Sequence, residues 1–236
     1  MKNNEWDKLG SATFGTIKKP EKTVKIPVAT KSGKRRTVAC MELSKGYMYR
    51  RAFSESSLLD ACEKFDFKDG MSYHFLTGGD VDSMTYLKAI LRQQNLEYVL
   101  FSTWCMAAED ILQLEQWIEQ GKIKKMDAYV GEIFPGTYII ENRMLRDLFE
   151  KYQCGRMCVL RNHSKIFAGY GEKFYFTVET SANINTNPRI ENGCITIDKG
   201  LFEFEKEFFD SLISFDKDDR EKQKQKEILQ ADDETA

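Results

Sequence analysis

Two side chains that could handle a phosphate stand close together in this chain. His163 is one of two histidines among 236 residues, and Lys165 follows two positions later. Side chains two apart on a β-strand point to the same face, so the imidazole and the ammonium would project together. A lysine on a buried face needs a partner, and an anionic ligand would supply one. Lysine offers a phosphate positive charge, and histidine offers a nucleophile or a general acid.

Short polar side chains follow across a predicted hairpin. The chain turns over 169–173, returns as a strand over 174–178, and then reaches Ser181 and Asn183. A hairpin in register would bring these two residues close to His163. Polar groups would then converge at one end of a sheet, where α/β proteins usually place their ligands.

A cation and a carboxylate complete the candidate site. Arg189 and Glu191 follow Asn183 within reach. A carboxylate close to a histidine can fix the orientation of its ring, and an arginine can bind a phosphate. The predicted catalytic residues are His163, Lys165, Ser181, Asn183 and Glu191, and the nearest predicted substrate-binding residue is Arg189.

The elements that would position these residues alternate between strands and helices. Strands are predicted at 73–76, 97–104, 123–132 and 156–162, and helices at 54–68, from about 82, at 107–122, 141–153 and 201–215. Such alternation predicts β-α-β units, and the hairpin 163–180 would add antiparallel strands. The predicted fold is α/β, with a mixed, largely parallel central sheet flanked by helices.

Two further groups of residues raise the question of a metal. Asp80 and Asp82 lie in the turn before a helix, where capping by short polar side chains is the commoner use. Cys154, Cys158 and His163 come close in sequence, but no convincing fourth ligand lies nearby. We therefore predict no metal and no other cofactor.

The predicted domain organisation has three parts. Residues 1–53 form a basic N-terminal arm with short strands, 54–215 the catalytic domain, and 216–236 a polar tail that cannot bury enough surface to order itself. Between residues 18 and 36 the arm carries eight basic residues against one acidic residue. A solvated arm and a contact to phosphate backbones both fit this composition. The arm supplies three more candidate substrate-binding residues, Lys34, Arg35 and Arg36.

Composition narrows the setting. Hydrophobic residues make up 42% of the chain and the formal net charge is −2, which suits a packed globular domain and leaves a nucleic-acid partner open, since local patches matter more than the total. The N-terminus lacks the apolar region of a secretory signal, and no stretch approaches the roughly 18 apolar residues of a membrane span. We expect a cytoplasmic protein without a membrane partner.

The candidate site resembles the phospholipase D superfamily, whose signature is H-x-K, a four-residue spacer, Asp, a six-residue spacer, Gly-Ser and a nearby Asn. The matching residues are His163-Ser164-Lys165 and Ser181-Ala182-Asn183, with Glu191 placed like the downstream acid of the family's small nucleases. Tyr170 stands at the aspartate's spacing and Thr180 replaces the glycine. The interval from Lys165 to Ser181 is 16 residues, three longer than the signature.

The resemblance implies a mechanism. His163 would attack phosphorus to form a phosphohistidine, Lys165 and Asn183 would hold the phosphoryl oxygens, and Ser181 and Glu191 would support them, without a metal. A second histidine would protonate the leaving oxygen. The chain has one H-x-K copy, which implies a homodimer with one His163 from each subunit.

The substrate is less sharply indicated. Single-copy, dimeric members resemble nucleases, and the basic arm fits a nucleic acid, so we expect a metal-independent nuclease acting on DNA in the first place. A nucleic-acid-binding protein with a degenerate site is the alternative, because the motif aspartate is missing. A phospholipid phosphodiesterase is a third possibility. In a purely structural interpretation, His163 and Lys165 are only polar residues on an edge strand.

Overall fold

The computed structural model describes residues 46–185 and 189–221, with side chains from Ser54 onward. The chain divides into two units, 1–50 and 51–236, and the sheet belongs to the second. The elements are α1 (Gly46–Glu63), β1 (Met71–Thr77), α2 (Ser83–Gln93), β2 (Leu96–Thr103), α3 (Ala108–Glu119), β3 (Met126–Gly131), α4 (Phe134–Thr137), α5 (Ile139–Tyr152), β4 (Met157–Leu160), β5 (Ile166–Gly171), β6 (Tyr175–Thr180), β7 (Glu191–Ile197) and α6 (Lys199–Asp210).

Several predictions from the sequence fall on residues outside these ranges. Lys34, Arg35 and Arg36, with most of the basic arm, lie among residues 1–45. Most of the polar tail lies among 222–236. The three-part division of the chain therefore stays a prediction.

The strands form one mixed sheet in the order β1-β7-β6-β5-β2-β3-β4. This confirms the mixed α/β fold, but only the pairs β2–β3 and β3–β4 are parallel. The four other pairings are antiparallel. The expectation of a largely parallel sheet therefore holds for β2 to β4 alone, where crossover helices join the strands. In the described residues from β4 through β7 no helix intervenes, and the chain direction reverses at each of these connections.

Strand β7 was not predicted from the sequence, although it lies between β1 and β6. Its residues alternate between buried and less buried positions, and Ile195 and Ile197 face the main core. Gly193 is required there, since a Cβ atom at this position would come within 2.4 Å of the Tyr86 ring. The strand thus packs closely against α2.

The sheet has a different apolar layer on each face. One face packs against the buried sides of α2, α3 and α5, through residues such as Leu87, Leu114 and Leu148. The other face carries Phe202 and Phe209 of α6 against aromatic residues of the strands. Each fully buried side chain of this size contributes about 1.5–3 kcal/mol, so both layers hold the sheet rigid.

Strand direction brings many loops to one end of the sheet. Strands β1, β2, β3, β4 and β6 end there, and β5 and β7 begin there. Among the described residues, no helix has both the length and the apolar character needed to cross a bilayer.

Candidate active site

The segment 161–165 crosses this end of the sheet. It leaves β4 at the sheet edge and enters β5, and the strand order places the ends of β3 and β2 between them. Asn162 fixes the crossing, since its Nδ2 donates to Ser102 Oγ at 2.8 Å and to the Tyr129 carbonyl at 2.9 Å. The segment that carries His163 is therefore attached to two neighbouring strands.

The oxygen of the Asn162 amide also forms two hydrogen bonds. Its Oδ1 accepts from the Ser164 backbone N–H at 3.0 Å and from Ser164 Oγ at 2.7 Å. The hydroxyls of Ser102 and Ser164 lie 2.5 Å apart. Groups held by several hydrogen bonds in a partly buried network keep one geometry, so residues on both sides of His163 are fixed.

His163 and Lys165 are in direct contact. Lys165 Nζ lies 3.2 Å from His163 Nδ1 and donates to the His163 carbonyl oxygen at 2.6 Å. Lys165 is 8% exposed, whereas His163 lies at the surface. Burial lowers the pKa of Lys165, and the nearby Cys105 and Glu191 act in the opposite direction. The structure thus brings the imidazole and the ammonium together. The expectation that both lie on a strand is wrong, since β5 begins only at Ile166 and both residues belong to the segment that leads into it.

Lys165 approaches one nitrogen of the His163 ring in particular. An ammonium group can only donate hydrogen bonds, so Nδ1 is the acceptor in this contact. Nε2 takes no part in it.

Ser181 and Glu191 form the next part of the site. Ser181 Oγ donates to Glu191 Oε2 and accepts from the Asn192 backbone N–H at 3.0 Å. The Thr180 N–H donates to the Lys165 carbonyl at 3.1 Å, so Ser181 follows the residue that pairs with Lys165 across β5 and β6. Glu191 is 9% exposed. The negative charge of this buried carboxylate acts on the positive charge of Lys165 and raises its pKa.

Asn183 lies between α2 and the end of β2. Its carbonyl accepts from the Ser83 N–H at 3.1 Å, and Ile184 N–H donates to Thr103 Oγ1 at 3.3 Å. Asn183 Oδ1 and Ser83 Oγ are buried without a hydrogen-bond partner among the described residues. The backbone of Asn183 is therefore fixed while its side chain retains hydrogen-bonding capacity.

Three residues at the site were missed by sequence reasoning. The Trp104 ring lies 5.7 Å from the His163 ring, centroid to centroid. Cys105 is buried near Lys165 and is hydrogen-bonded to Tyr138, a contact that raises the pKa of Tyr138 together with burial. Trp104 and Cys105 come directly after β2, so their place at the end of a central strand was the available signal.

Tyr170 does not belong to the site, although it stands at the spacing of the family's aspartate. It lies near the far end of β5, about 17 Å along the strand from Lys165. Its ring stacks on Tyr175 at 5.1 Å and contacts Phe202. The tyrosine is part of the apolar layer under α6, so the missing carboxylate leaves no gap beside His163.

The remaining candidates lie elsewhere. Asp82 caps α2, since its Oδ1 accepts from the Thr85 N–H at 3.1 Å, as predicted. Arg189 is exposed two residues before β7, and its role in binding stays a prediction. Within the ranges 46–185 and 189–221, no three His, Cys, Asp or Glu side chains are grouped to hold a metal ion.

No protein-family model and no curated protein sequence matches the chain. Among solved structures it is similar to phosphatidylserine synthase from Haemophilus influenzae Rd KW20, with 15% identity and a TM-score of 0.40 over 57% of this chain. It is also similar to polyphosphate kinase from Porphyromonas gingivalis, with 17% identity and a TM-score of 0.38 over 66% of this chain. The chain spans 36% and 25% of the length of these two proteins, respectively.

Proposed function

We propose that this chain is a phosphodiesterase of the phospholipase D type that cleaves nucleic acid through a phosphohistidine at His163. The observation that carries the proposal is the His163–Lys165 contact at the end of the sheet. A nucleophile and a buried cation are in contact there. The Ser181–Glu191 pair begins directly after Thr180, whose N–H donates to the Lys165 carbonyl, and Asn183 follows two residues later. Charge stabilisation and positioning are the main requirements of phosphoryl transfer.

In the proposed reaction, Lys165 and the Asn183 amide bind the non-bridging oxygens of the phosphodiester. Nε2 of His163 attacks phosphorus, the bond to the leaving oxygen breaks, and a phosphohistidine forms. Water then attacks the same phosphorus, breaks its bond to the nitrogen and releases the phosphate monoester. Ser181 and Glu191 hold the strand ends that carry Lys165 and Asn183. The scheme requires no metal ion.

The leaving oxygen needs a proton, and we assign it to His163 of a second subunit. His74 is the other histidine. It lies on β1 opposite Cys194. Its neighbour Phe75 packs against the core, and successive side chains of a strand point to opposite faces. His74 therefore points away from the core face, on a strand that β7 and β6 separate from β5. An isologous homodimer would place two His163 side chains across one axis.

The proposed substrate class rests on basic residues outside the reacting centre. The basic arm with Lys34, Arg35 and Arg36, together with Arg189, would bind phosphates outside the reacting one. The alternative function is a nucleic-acid-binding protein without turnover. The reading as an enzyme is favoured because Tyr170, at the position of the missing aspartate, packs far from His163. A phospholipid substrate is the least supported.

The decisive experiment is to trap the intermediate. Labelled DNA is incubated with the full chain in EDTA, the reaction is quenched at high pH, and His163 is searched for a phosphoryl adduct by mass spectrometry. We expect an adduct at His163 and its loss in His163→Ala, with His74→Ala as the matched control that keeps it. Salt-sensitive binding without cleavage would instead support the binding protein. A strictly monomeric active protein would disprove the shared site.

A further inference from the structure

An exposed cation and an exposed aromatic ring lie together beside the candidate site. The Arg161 guanidinium lies 5.8 Å from the centroid of the Phe215 ring. The Arg161 side chain is 82% exposed and Phe215 is 57% exposed. The two side chains form a cation–π pair at the surface, and the chemistry assigned to His163 uses neither of them.

Phe215 is held in place by polar groups beneath it. Its N–H donates to the Val159 carbonyl at 2.8 Å, and the Val159 N–H donates to Ser214 Oγ at 2.9 Å. These bonds cover the open edge of β4. Ser214 Oγ in turn donates to Asp219 at 3.1 Å, and Asp219 pairs with Arg146 at 2.6 Å. A backbone fixed in advance reduces the conformational entropy that is lost when a ligand stacks on the ring.

The position of Arg161 relates this surface to the reacting centre. Only Asn162 separates Arg161 from His163, so their backbones are at most about 7 Å apart. A chain of phosphodiesters lying across His163 would therefore offer Arg161 a neighbouring phosphate. Trp104 adds a second ring, in contact with His163 itself. Cationic and aromatic groups thus alternate along one path from Trp104 to Phe215.

We propose that the path through Trp104, His163, Arg161 and Phe215 binds single-stranded nucleic acid, with a base stacked on Phe215 and a phosphate on Arg161. This inference rests on the proposed function and specifies the form of its substrate. In a duplex the faces of the bases are covered by their neighbours, whereas an unpaired strand can turn them onto aromatic side chains.

One contact competes with the ligand. Arg161 Nε lies 3.2 Å from Glu132 Oε2, and both side chains are mostly exposed. Exposed ion pairs contribute about 0–1 kcal/mol, so a phosphate can replace Glu132 at little cost. The pair also holds Arg161 near the ring while no ligand is bound.

The test separates binding from turnover. Fluorescence anisotropy is measured on the full chain carrying His163→Ala, with a labelled thymidine oligonucleotide, the same sequence as a duplex, and anionic phospholipid vesicles. Phe215→Ala and Arg161→Gln are added to this background. The matched controls are Phe204→Ala, another exposed phenylalanine (65% exposed), and Arg92→Gln, whose side chain pairs with Glu63 on the surface.

We expect the single strand to bind at least tenfold more tightly than the duplex. Phe215→Ala weakens single-strand binding about tenfold, as for one stacked base, and leaves the salt dependence unchanged. Arg161→Gln reduces the slope of log affinity against log salt by about 0.7, as for one lost phosphate contact. Both control variants bind like the background.

Two outcomes overturn the inference. Equal or tighter binding of the duplex does so, as does a Phe215→Ala effect confined to vesicles. Neither outcome tests the proposed function, because that function is tested by cleavage with the chain that retains His163. Conversely, single-strand binding that depends on Phe215 and Arg161 supports the path even when no substrate is cleaved and the proposed function fails.

Discussion

Two asparagines, Asn162 and Asn183, lie at the candidate site, and their side-chain amides differ in how fully they are hydrogen-bonded. The Asn162 amide donates to Ser102 and to the Tyr129 carbonyl and accepts twice from Ser164. The Asn183 amide has a buried Oδ1 that has no partner in the part of the chain the structure describes. The two residues lie at the same end of one sheet.

The difference separates scaffold from ligand site. Buried polar groups are normally hydrogen-bonded, and an unsatisfied one costs about 1–3 kcal/mol. Asn162 meets this rule and fixes the crossing that carries His163. Asn183 breaks it, and Lys165 is held as a buried cation at the cost of a lowered pKa. Departures from full hydrogen bonding are expected at functional sites. A phosphodiester has only acceptor oxygens, so it would bind Lys165 and the Nδ2 group of Asn183 rather than Oδ1.

The largest effect that the comparison predicts is on Lys165, the buried cation of the ligand side. Lys165→Ala should lower kcat/KM about 10³-fold, equivalent to about 4 kcal/mol, because the developing charge loses its principal counter-charge. Lys165→Arg should recover part of the loss. The measurement is steady-state cleavage of a DNA oligonucleotide, with Lys124→Ala, an exposed lysine paired with Glu97, as the control. A loss under tenfold would remove Lys165 from the reacting centre.

The next effect is on stability and tests the scaffold side. Asn162→Ala should lower the free energy of unfolding by about 3 kcal/mol, since it leaves the Tyr129 carbonyl and the Ser164 N–H without their partner. Urea denaturation followed by circular dichroism measures the change. An Asn162→Ala protein as stable as the wild type would abolish the distinction between the two asparagines.

Asn183 should behave in the opposite way, with a smaller effect. Asn183→Ala removes an acceptor that is already unsatisfied, so the free energy of unfolding should stay within about 1 kcal/mol of the wild type. KM should rise about tenfold as a phosphoryl contact is lost. Thr177→Val is the matched control, because Thr177 Oγ1 is likewise buried without a partner in the described part but lies within β6. A large loss of stability would make Asn183 part of the scaffold.

The sequence predicts the two sides of the site unequally. The hairpin of β5 and β6 follows from a local regularity, and it places Ser181 next to the residue that is hydrogen-bonded to Lys165. His163 and Lys165 are in contact although both precede β5, and Glu191 is placed by β7, which was not predicted. Trp104 and Cys105 could not be placed at the site, since their approach depends on the segment 161–165 crossing the ends of β2 and β3. That crossing is a property of the strand order, which no local pattern specifies.

The fold shows the same limit. The helices and most strands follow from hydrophobic periodicity. Strand β7 was not predicted, and it contains Asn192-Gly193, a dipeptide that is typical of turns. A residue without a Cβ atom is needed at Gly193, because the Tyr86 ring occupies the space that a side chain would fill. Tyr170 is a similar case, since its spacing suggested a lost catalytic carboxylate and its packing against Tyr175 gives it a structural place.

The smallest predicted effect is a shift in pH dependence, and it tests whether the burial of Lys165 matters for function. Burial lowers the pKa of Lys165, so the ammonium loses its proton at a lower pH than a free lysine, whose pKa is about 10.4. The neutral amine binds an anionic phosphodiester poorly, so kcat/KM should fall as the pH rises through this lowered pKa. Since kcat/KM reports the free enzyme, its pH profile is the measurement.

Two variants assign this alkaline decline to Lys165. Glu191→Gln removes a negative charge that raises the pKa of Lys165, so the decline should begin at a lower pH still. Lys165→Arg should abolish the decline, because a guanidinium stays protonated throughout. A decline that persists unchanged in Lys165→Arg would belong to another group. The lowered pKa of Lys165 would then have no effect on kcat/KM, and only the position of its side chain would distinguish it as part of the ligand site.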